Sequence, residues 1–180
     1  VAKLILEKAS SLKDQWGIEV SITGVAVKRT TIKRFCEGIR LQIVEPMALI
    51  NDPSVKLIIE TVGGIEQPYE WIKSAISKGK HVITANKALM AHHGQELKQL
   101  ARDQNVYLGF EASVCGSIPI IHLLREYWGH YSIKSLIGIL NGTSNFIYSM
   151  MNEKGYSFED ALSEAQQEGF AEANPSDDIE

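Results

Sequence analysis

Lys87 is the residue of this chain whose type and position are best suited to chemistry. It follows a short apolar run, HVIT at residues 81–84, whose length and β-branched residues are typical of a buried strand. A helix-forming segment, residues 88–102, comes directly after it. Lys87 is therefore predicted at the carboxyl end of a strand, where open α/β sheets bind ligands, and its ammonium group can face a cofactor or a substrate oxygen. A lysine that opens an amphipathic helix is also commonly a solvated surface charge, and the motif alone leaves both interpretations open.

Four basic residues, Lys28, Arg29, Lys33 and Arg34, follow an earlier predicted strand at residues 19–27. In nucleotide-binding sheets the end of this strand contacts the adenosine ribose, and an acidic residue there favours NAD. Basic residues favour the 2′-phosphate of NADP, which makes Arg29 a candidate cofactor ligand. A solvated loop explains the same four charges equally well.

A glycine turn, Thr61-Val62-Gly63-Gly64, closes another predicted strand at residues 55–61. Glycine allows the backbone to approach a ligand closely, so Thr61, Gly63 and Gly64 are candidate cofactor contacts. An ordinary turn from a strand to a helix requires glycine just as often.

The first part of the chain alternates between strand and helix patterns. The predicted strands are residues 19–27, 55–61, 81–84 and 106–110, and the predicted helices are 1–13, 39–50 (with a loop), 69–77 and 88–102. This alternation predicts an α/β fold with a parallel, doubly wound, Rossmann-like sheet. Because Val1 opens inside helical sequence, we expect the first strand and its glycine-rich turn to precede it. The usual dinucleotide fingerprint would then lie outside this chain.

The alternating pattern stops after Glu111, where a small-residue turn leads towards Pro119. The segments predicted beyond it are a helix at 120–128, an apolar strand at 132–140 and helices at 146–152 and 157–168. Ser157 is the expected N-cap of the last helix, with Asp160 in the capping-box position. We therefore predict two domains, residues 1–112 and 113–180, the second being the beginning of an α+β domain.

Composition limits the classes of function. The chain has 180 residues, of which 44% are hydrophobic and 22% charged, and its net charge is −4. No basic field favours nucleic acid or an anionic membrane, so a small molecule is the expected partner. Two cysteines, Cys36 and Cys115, are too few for a metal cluster or a disulfide framework, which favours the reducing cytoplasm. The chain has no run of about 18 apolar residues that could span a membrane, and we expect no signal peptide, since Val1 begins helical sequence without a charged leader.

Four segments together resemble one enzyme family. VITANKALMAHHG, GFEASVCGSIPII, LNGTSNFIYSMM and AQQEGFAEANPSDDIE occur in the order and at the spacing found in homoserine dehydrogenases, and the similarity covers nearly the whole chain. The resemblance implies an NAD(P)-dependent oxidoreductase that interconverts L-aspartate-4-semialdehyde and L-homoserine in threonine and methionine biosynthesis. It also implies a homodimer, in which the strand at 132–140 helps to pack two subunits together, although burial within one domain would give the same apolar pattern.

The resemblance assigns roles to particular residues. Lys87 would lie beside the nicotinamide and the substrate, and Glu172 would bind the substrate amino group. The cofactor, NADP or NAD, would be lined by Thr61, Gly63, Gly64, Ala85, Lys87 and Gly169, in addition to the candidate Arg29. A sodium ion would be held by Glu111 and the backbone carbonyls of Val114, Gly116 and Ile118, since hard oxygen ligands suit a hard cation.

This chain departs from the family pattern at three positions. Cys115 replaces a small Gly or Ala, Ser144 replaces the more usual Thr, and Asn174 replaces the usual Asp, which removes a charge near the substrate. The resemblance also places the catalytic Asp and Lys beyond Glu180, so Lys87 would assist the reaction without being the principal proton donor. We therefore expect these 180 residues alone to be inactive.

Two other classes of function fit part of the sequence. A regulatory module could bind a nucleotide with the same sheet and catalyse nothing. Another NADP-dependent semialdehyde dehydrogenase would use a catalytic cysteine, for which Cys115 is the candidate, but no histidine partner occurs in a fitting motif.

Overall fold

A computed structural model describes residues 1–27, 43–128, 132–171 and 175–179 of the chain. Arg29 and Glu172 lie outside the described residues, as do the other three members of the basic cluster. The chain divides into two compact units, Val1–Gly116 and Ser117–Glu180. The predicted domain boundary at 112/113 falls a few residues before this division and stays a prediction.

The described elements are mostly helical. In chain order they are α1 (Ala2–Trp16), α2 (Pro46–Asn51), β1 (Leu57–Glu60), α3 (Glu66–Ser77), β2 (His81–Thr84), α4 (Lys87–Asp103), β3 (Leu108–Gly109), a 3-10 turn (Glu111–Ser113), α5 (Ile120–Trp128), α6 (Gly142–Lys154), α7 (Phe158–Gln167) and α8 (Ser176–Ile179). No helix in the described part of the chain is both long and apolar enough to cross a membrane.

The sheet of the first unit is parallel, with strand order β1-β2-β3. Ile58 lies opposite Val82 in the first pair, and Val82 lies opposite Leu108 in the second. Helix α3 connects β1 to β2 and helix α4 connects β2 to β3, since parallel neighbours need a crossover connection. The prediction of a Rossmann-like α/β fold is confirmed.

The core of the first unit lies between this sheet and its two connecting helices. Three α3 residues spaced for one helix face, Ile72, Ala75 and Ile76, are fully buried. From α4, Leu89 and Leu97 are also fully buried and belong to the same apolar cluster. Both helices are therefore anchored by their apolar faces, which fixes where α4 begins at the sheet edge.

A buried lysine holds the opposite edge of the sheet, just before β2. Lys80 is 4% exposed, and its Nζ donates hydrogen bonds of 2.6 Å to the backbone carbonyls of Asp52 and Val55. These two bonds tie the segment before β1 to the start of β2. Lys80 is therefore a structural residue at the sheet edge away from Lys87.

In the second unit, α6 packs against α7. Its small core is formed by Ile147 and Met150 of α6 with Ala161 and Ala165 of α7. The predicted cap of α7 is confirmed, because the Ser157 hydroxyl accepts from the backbone N–H of Asp160 at 3.1 Å and donates to the Asp160 carboxylate at 2.7 Å.

Two predicted strands are wrong. Residues 19–27 contain one isolated parallel bridge, Val25 to Ile43, and no strand. Residues 132–140 are also without a strand, and Ile137 in this run is 95% exposed. A strand requires a neighbour for its backbone hydrogen bonds, and the described part of the chain supplies none to either run beyond that bridge.

An exposed ionic cluster between α3 and α4 gives a pH-dependent prediction. The Tyr69 hydroxyl, and then the Lys73 ammonium, donate hydrogen bonds that lower the pKa of Glu96 below its ordinary value of 4.5. Hydrogen bonds to Tyr69 and Glu96 raise the pKa of Lys73 above its ordinary value of 10.5. The cluster therefore makes its full contribution to the stability of the fold between pH 4.5 and pH 10.5. This contribution is lost as the pH falls through the lowered pKa of Glu96 or rises through the raised pKa of Lys73.

We expect Glu96→Gln to lower the melting temperature slightly at pH 7, since both side chains are about half exposed and solvent screens the pair. The difference from the parent should vanish as the carboxylate becomes protonated in acid. Melting curves from pH 3 to pH 9 measure it, with Glu70→Gln on α3 as the control. A difference that persists unchanged at pH 3 would contradict this electrostatic origin.

Candidate functional site

The carboxyl edge of the sheet brings two predicted ligand-binding segments together. The turn after β1 contains Thr61, Gly63 and Gly64, and the turn after β2 contains Ala85 and Lys87. All five residues are exposed. Two hydrogen bonds join these turns. The backbone N–H of Ala85 donates to the Glu60 carbonyl at 3.2 Å, and the side-chain Nδ2 of Asn86 donates to the Gly64 carbonyl at 2.6 Å. They form one open surface at the end of the sheet.

The glycine turn adopts a conformation that other residues disfavour. Gly63 and Gly64 have φ angles of 78° and 82°, both in the left-handed region. The backbone N–H groups of Val62 and Gly63 donate to Oε1 of Glu60, at 2.5 and 3.3 Å. The amides of Val62 and Gly63 are therefore satisfied within the protein.

Lys87 is the first residue of α4, and Asn86 is its N-cap. The Asn86 Oδ1 accepts from the backbone N–H of Leu89 at 3.0 Å, which satisfies one of the free donors at the helix start. Lys87 thus belongs to the first turn of α4, where the positive end of the helix dipole lies at the carboxyl edge of the sheet. This arrangement can stabilise negative charge, whether on a ligand or on an oxygen that becomes charged during a reaction.

Sequence reasoning missed the buried polar side chains beneath this surface. Glu60 is 5% exposed, Thr84 is fully buried and Asn86 is 6% exposed. The Thr84 hydroxyl donates to Glu60 Oε2 at 2.6 Å and accepts from the backbone N–H of Asn86 at 3.0 Å. One signal was available, since Glu60 ends an otherwise apolar strand and Asn86 stands in an N-cap position before a helix pattern.

The residues predicted to bind sodium follow β3. Glu111 opens the 3-10 turn and is half-buried, and the backbone N–H of Val114 donates to its carbonyl at 3.1 Å. Cys115 and Gly116 have consecutive positive φ angles of 54° and 60°. Ile118, the fourth predicted member, belongs to the second unit and is 60% exposed. Among the described residues, no three His, Cys, Asp or Glu side chains are grouped as metal ligands; the predicted sodium site would use one carboxylate with carbonyls.

The second unit has a polar cluster at the N-terminus of α6. The Asp178 carboxylate accepts from Asn141 Nδ2 at 2.8 Å and lies 3.4 Å from the Thr143 hydroxyl oxygen. Thr143 also donates to the Phe170 carbonyl at 2.5 Å, and Ser144 donates to the Asp178 carbonyl at 3.1 Å. Residues 141–144 are thus the centre of a hydrogen-bonded cluster that includes Asp178.

Gly169, the predicted cofactor contact in this unit, follows α7 and is exposed. Its φ angle is 81°, so this position also favours glycine. The next residue, Phe170, stacks on Phe146 of α6 with ring centroids 4.5 Å apart. This stacking fixes the backbone beside Gly169.

Comparisons with known proteins cover almost the entire chain. A family model described as the homoserine dehydrogenase NAD binding domain matches residues 1–111, and one described as homoserine dehydrogenase matches residues 119–180. A homoserine dehydrogenase from Pseudomonas aeruginosa is 48% identical over 98% of this chain and 41% of that protein. The homoserine dehydrogenase from Helicobacter pylori is 42% identical over 99% of this chain and 42% of that protein. The chain therefore spans about two fifths of the length of these curated relatives.

Solved structures give the same result. A homoserine dehydrogenase from Thiobacillus denitrificans superposes with a TM-score of 0.89 at 40% identity, covering 99% of this chain and 42% of that one. A putative homoserine dehydrogenase from Archaeoglobus fulgidus has a TM-score of 0.81 at 31% identity, covering 99% and 59%. With both of its units matched in sequence and its fold matched in structure, the chain belongs to the homoserine dehydrogenase family.

Proposed function

We propose that the full-length gene product is an NAD(P)H-dependent homoserine dehydrogenase, which interconverts L-aspartate-4-semialdehyde and L-homoserine in threonine and methionine biosynthesis. One observation carries this proposal. At the carboxyl edge of its sheet, this member of the homoserine dehydrogenase family has an exposed lysine at a helix N-terminus, next to a turn of two glycines with left-handed φ angles. An uncharged aldehyde that gains negative charge during reduction fits such an edge.

NADPH is the proposed cofactor. An archaeal homoserine dehydrogenase mutant described as a complex with NADPH is 27% identical to this chain, with a TM-score of 0.66 over 97% of it. In the first unit the turn residues Thr61, Gly63 and Gly64 would contact the dinucleotide together with Ala85 and Lys87. The fit is supported by open backbone at both glycines, where an added Cβ would meet nothing within 4 Å.

Two further cofactor contacts belong to this proposal. Gly169 would contribute exposed backbone from the second unit. Arg29 would place a guanidinium group against the 2′-phosphate, which is the basis for naming NADPH ahead of NADH.

Lys87 supplies the electrostatic part of the reaction in this proposal. A bound nicotinamide supplies the hydride. Negative charge develops on the aldehyde oxygen during reduction, and the Lys87 ammonium together with the α4 N-terminus stabilises it. Lys87 acts here as a polarising group and is not the principal proton donor.

The proposal also includes a sodium ion near the end of β3. Glu111 would provide a carboxylate, and Val114, Gly116 and Ile118 would provide carbonyl oxygens. The two successive left-handed residues, Cys115 and Gly116, support this role because they turn the backbone sharply where carbonyl ligands would be needed. Cys115 would be tolerated, because its carbonyl and side chain are not among the ligands.

We further propose that the enzyme works as a homodimer in the cytoplasm. The exposed apolar run at residues 132–140 supports a partner, since Leu136, Ile139 and Leu140 are each more than 60% exposed. The low cysteine content is compatible with a reducing compartment. The same proposal assigns nucleotide binding to residues 1–112 and places the beginning of the substrate and dimerisation domain in 113–180.

Glu172→Ala in the full-length gene product tests the reaction and the substrate site together. We expect the parent to oxidise NADPH only when aspartate-4-semialdehyde is present. In the variant the apparent KM for the semialdehyde should rise by roughly tenfold to a hundredfold, because a charged hydrogen bond to the substrate amino group is lost. Spectrophotometric initial rates over a range of substrate concentrations measure this.

Glu153→Ala, which removes an exposed carboxylate from α6, is the matched control and should leave KM unchanged. An intact, folded parent that binds NADPH but reduces no semialdehyde would overturn the enzymatic proposal. That result would favour a nucleotide-binding regulatory module.

A further inference from the structure

Glu60 is a buried carboxylate to which the proposed reaction assigns no role. It ends β1, is 5% exposed, and lies directly opposite Thr84 in the register of the parallel pair. Burying a carboxylate is costly unless hydrogen bonds compensate for lost water. Glu60 receives three of them, from the Thr84 hydroxyl and from the backbone N–H groups of Val62 and Gly63.

Two of these bonds determine what the glycine turn presents to a ligand. The amides of Val62 and Gly63 point to Glu60, so they are not donors for a phosphate group. These two amides therefore cannot form an anion-binding nest, and at Val62 and Gly63 the turn offers exposed backbone surface to a ligand. The Glu60 side chain, which lies beneath the turn, holds it in its left-handed conformation through these hydrogen bonds.

The other end of the same turn is held from the β2 side. Asn86 Nδ2 donates to the Gly64 carbonyl at 2.6 Å, and the backbone N–H of Asn86 donates to the Thr84 hydroxyl that binds Glu60. Glu60, Thr84, Asn86 and Gly64 thus form one continuous network, which we call the edge network. It joins the glycine turn to the residue immediately before Lys87.

We propose that Glu60 is a positioning residue for the dinucleotide: through the edge network it holds the glycine turn and the start of α4 in the arrangement that receives NADPH, without contacting NADPH itself. This inference rests on the proposed function, because it concerns the same cofactor surface. Loss of the carboxylate leaves the turn free to sample other glycine conformations, and binding must then pay for ordering it.

The test compares Glu60→Ala, Glu60→Gln and Lys80→Met in the full-length gene product. For Glu60→Ala we expect the Kd and KM for NADPH to rise by about tenfold, with kcat at saturating NADPH changed by less than about threefold. Glutamine can accept from the Val62 and Gly63 amides and donate to the Thr84 hydroxyl, so Glu60→Gln should restore most of the affinity. Nicotinamide fluorescence titration gives Kd, and steady-state rates give KM and kcat.

Lys80→Met is the matched structural control. It also removes two buried hydrogen bonds to backbone, but at the opposite edge of the same sheet. We expect it to lower the melting temperature and leave the Kd for NADPH unchanged. Amide hydrogen exchange without NADPH provides a second readout, in which Glu60→Ala should speed exchange at Val62 and Gly63 and Lys80→Met should not.

If Glu60→Ala is too unstable to purify, Thr84→Val replaces it, since this variant keeps the side-chain shape and breaks the link between Glu60 and Asn86. A Kd for NADPH equal to that of the parent in either variant overturns the positioning role and leaves the proposed function intact. An equal loss of affinity in Lys80→Met also overturns it, because the effect would then follow stability alone. A folded parent that binds no NADPH overturns the proposed function, and the positioning role with it.

Discussion

Lys87→Met is expected to lower kcat for semialdehyde reduction by roughly a hundredfold to a thousandfold, the effect typical of removing one group that stabilises charge in a transition state. Methionine keeps the length and apolar stem of lysine and removes the ammonium group. The α4 cap should survive, because Asn86 uses its own side chain to bind the Leu89 amide. Initial rates at saturating NADPH and semialdehyde, over pH 6 to 10, measure the loss.

Lys78→Met provides the matched control for this substitution. Lys78 is an exposed lysine at the C-terminal end of α3, on the far side of the sheet from Lys87, and kcat should be unaffected by its loss. A Lys87→Met enzyme that keeps at least a third of the parent kcat would show that Lys87 is a solvated surface charge. The second interpretation of the motif would then be correct.

Local patterns in the first unit correctly predicted its three described strands and the two helices between them, whereas the strand predicted at residues 19–27 is absent. Residues 81–84 were predicted as a strand and are β2, and the predicted helix at 88–102 is α4, Lys87–Asp103. These elements are coded by residues close in sequence, by β-branched residues in the strand and by a 3.6-residue apolar period in the helix. The parallel direction of the strands then followed from the rule that parallel neighbours are joined by helical crossovers, whereas the strand order came from the structure.

Strand pairing over long distances was not predictable in the same way. Residues 132–140 have the composition of a strand, yet Ile137 and its neighbours are exposed and have no pairing among the described residues. Composition reports how well a side chain suits a pleated surface, whereas a strand exists only where another backbone meets it. The apolar run is a property of the sequence, but its pairing depends on residues elsewhere.

The residues of the candidate site also differ in whether the sequence alone could predict them. Lys87 and the glycine turn could be named from the sequence because their residue types stand out beside a strand end. Glu60 and Asn86 each stand at a position that gives a sequence signal, but their connection in the edge network could not be predicted. Glu60 and Thr84 are separated by 24 residues and meet only through the register of β1 and β2. A buried Glu60 looks in the sequence like a solvated residue at the end of a strand.

Leu97→Ala is expected to destabilise the first unit by about 2–5 kcal/mol, the usual cost of truncating a fully buried leucine. Leu97 is completely buried in the cluster that holds α4 against the sheet and α3. Since α4 begins with Lys87, this loss reaches the candidate site through the helix and not through any contact with a ligand. Native-state hydrogen exchange of the α4 amides measures the local free energy of opening.

Leu97→Met keeps the side-chain volume and should cost less than about 1.5 kcal/mol of stability. The comparison shows whether the loss in Leu97→Ala comes from the cavity or from any substitution at this position. The amides of α7 belong to the second unit, whose core contains Ala161 and Ala165, and their exchange should be unchanged in either variant. Faster exchange in α7 equal to that in α4 would mean that the two units unfold together. Faster exchange confined to α4 and its sheet would establish that the helix carrying Lys87 is held by the core of its own unit.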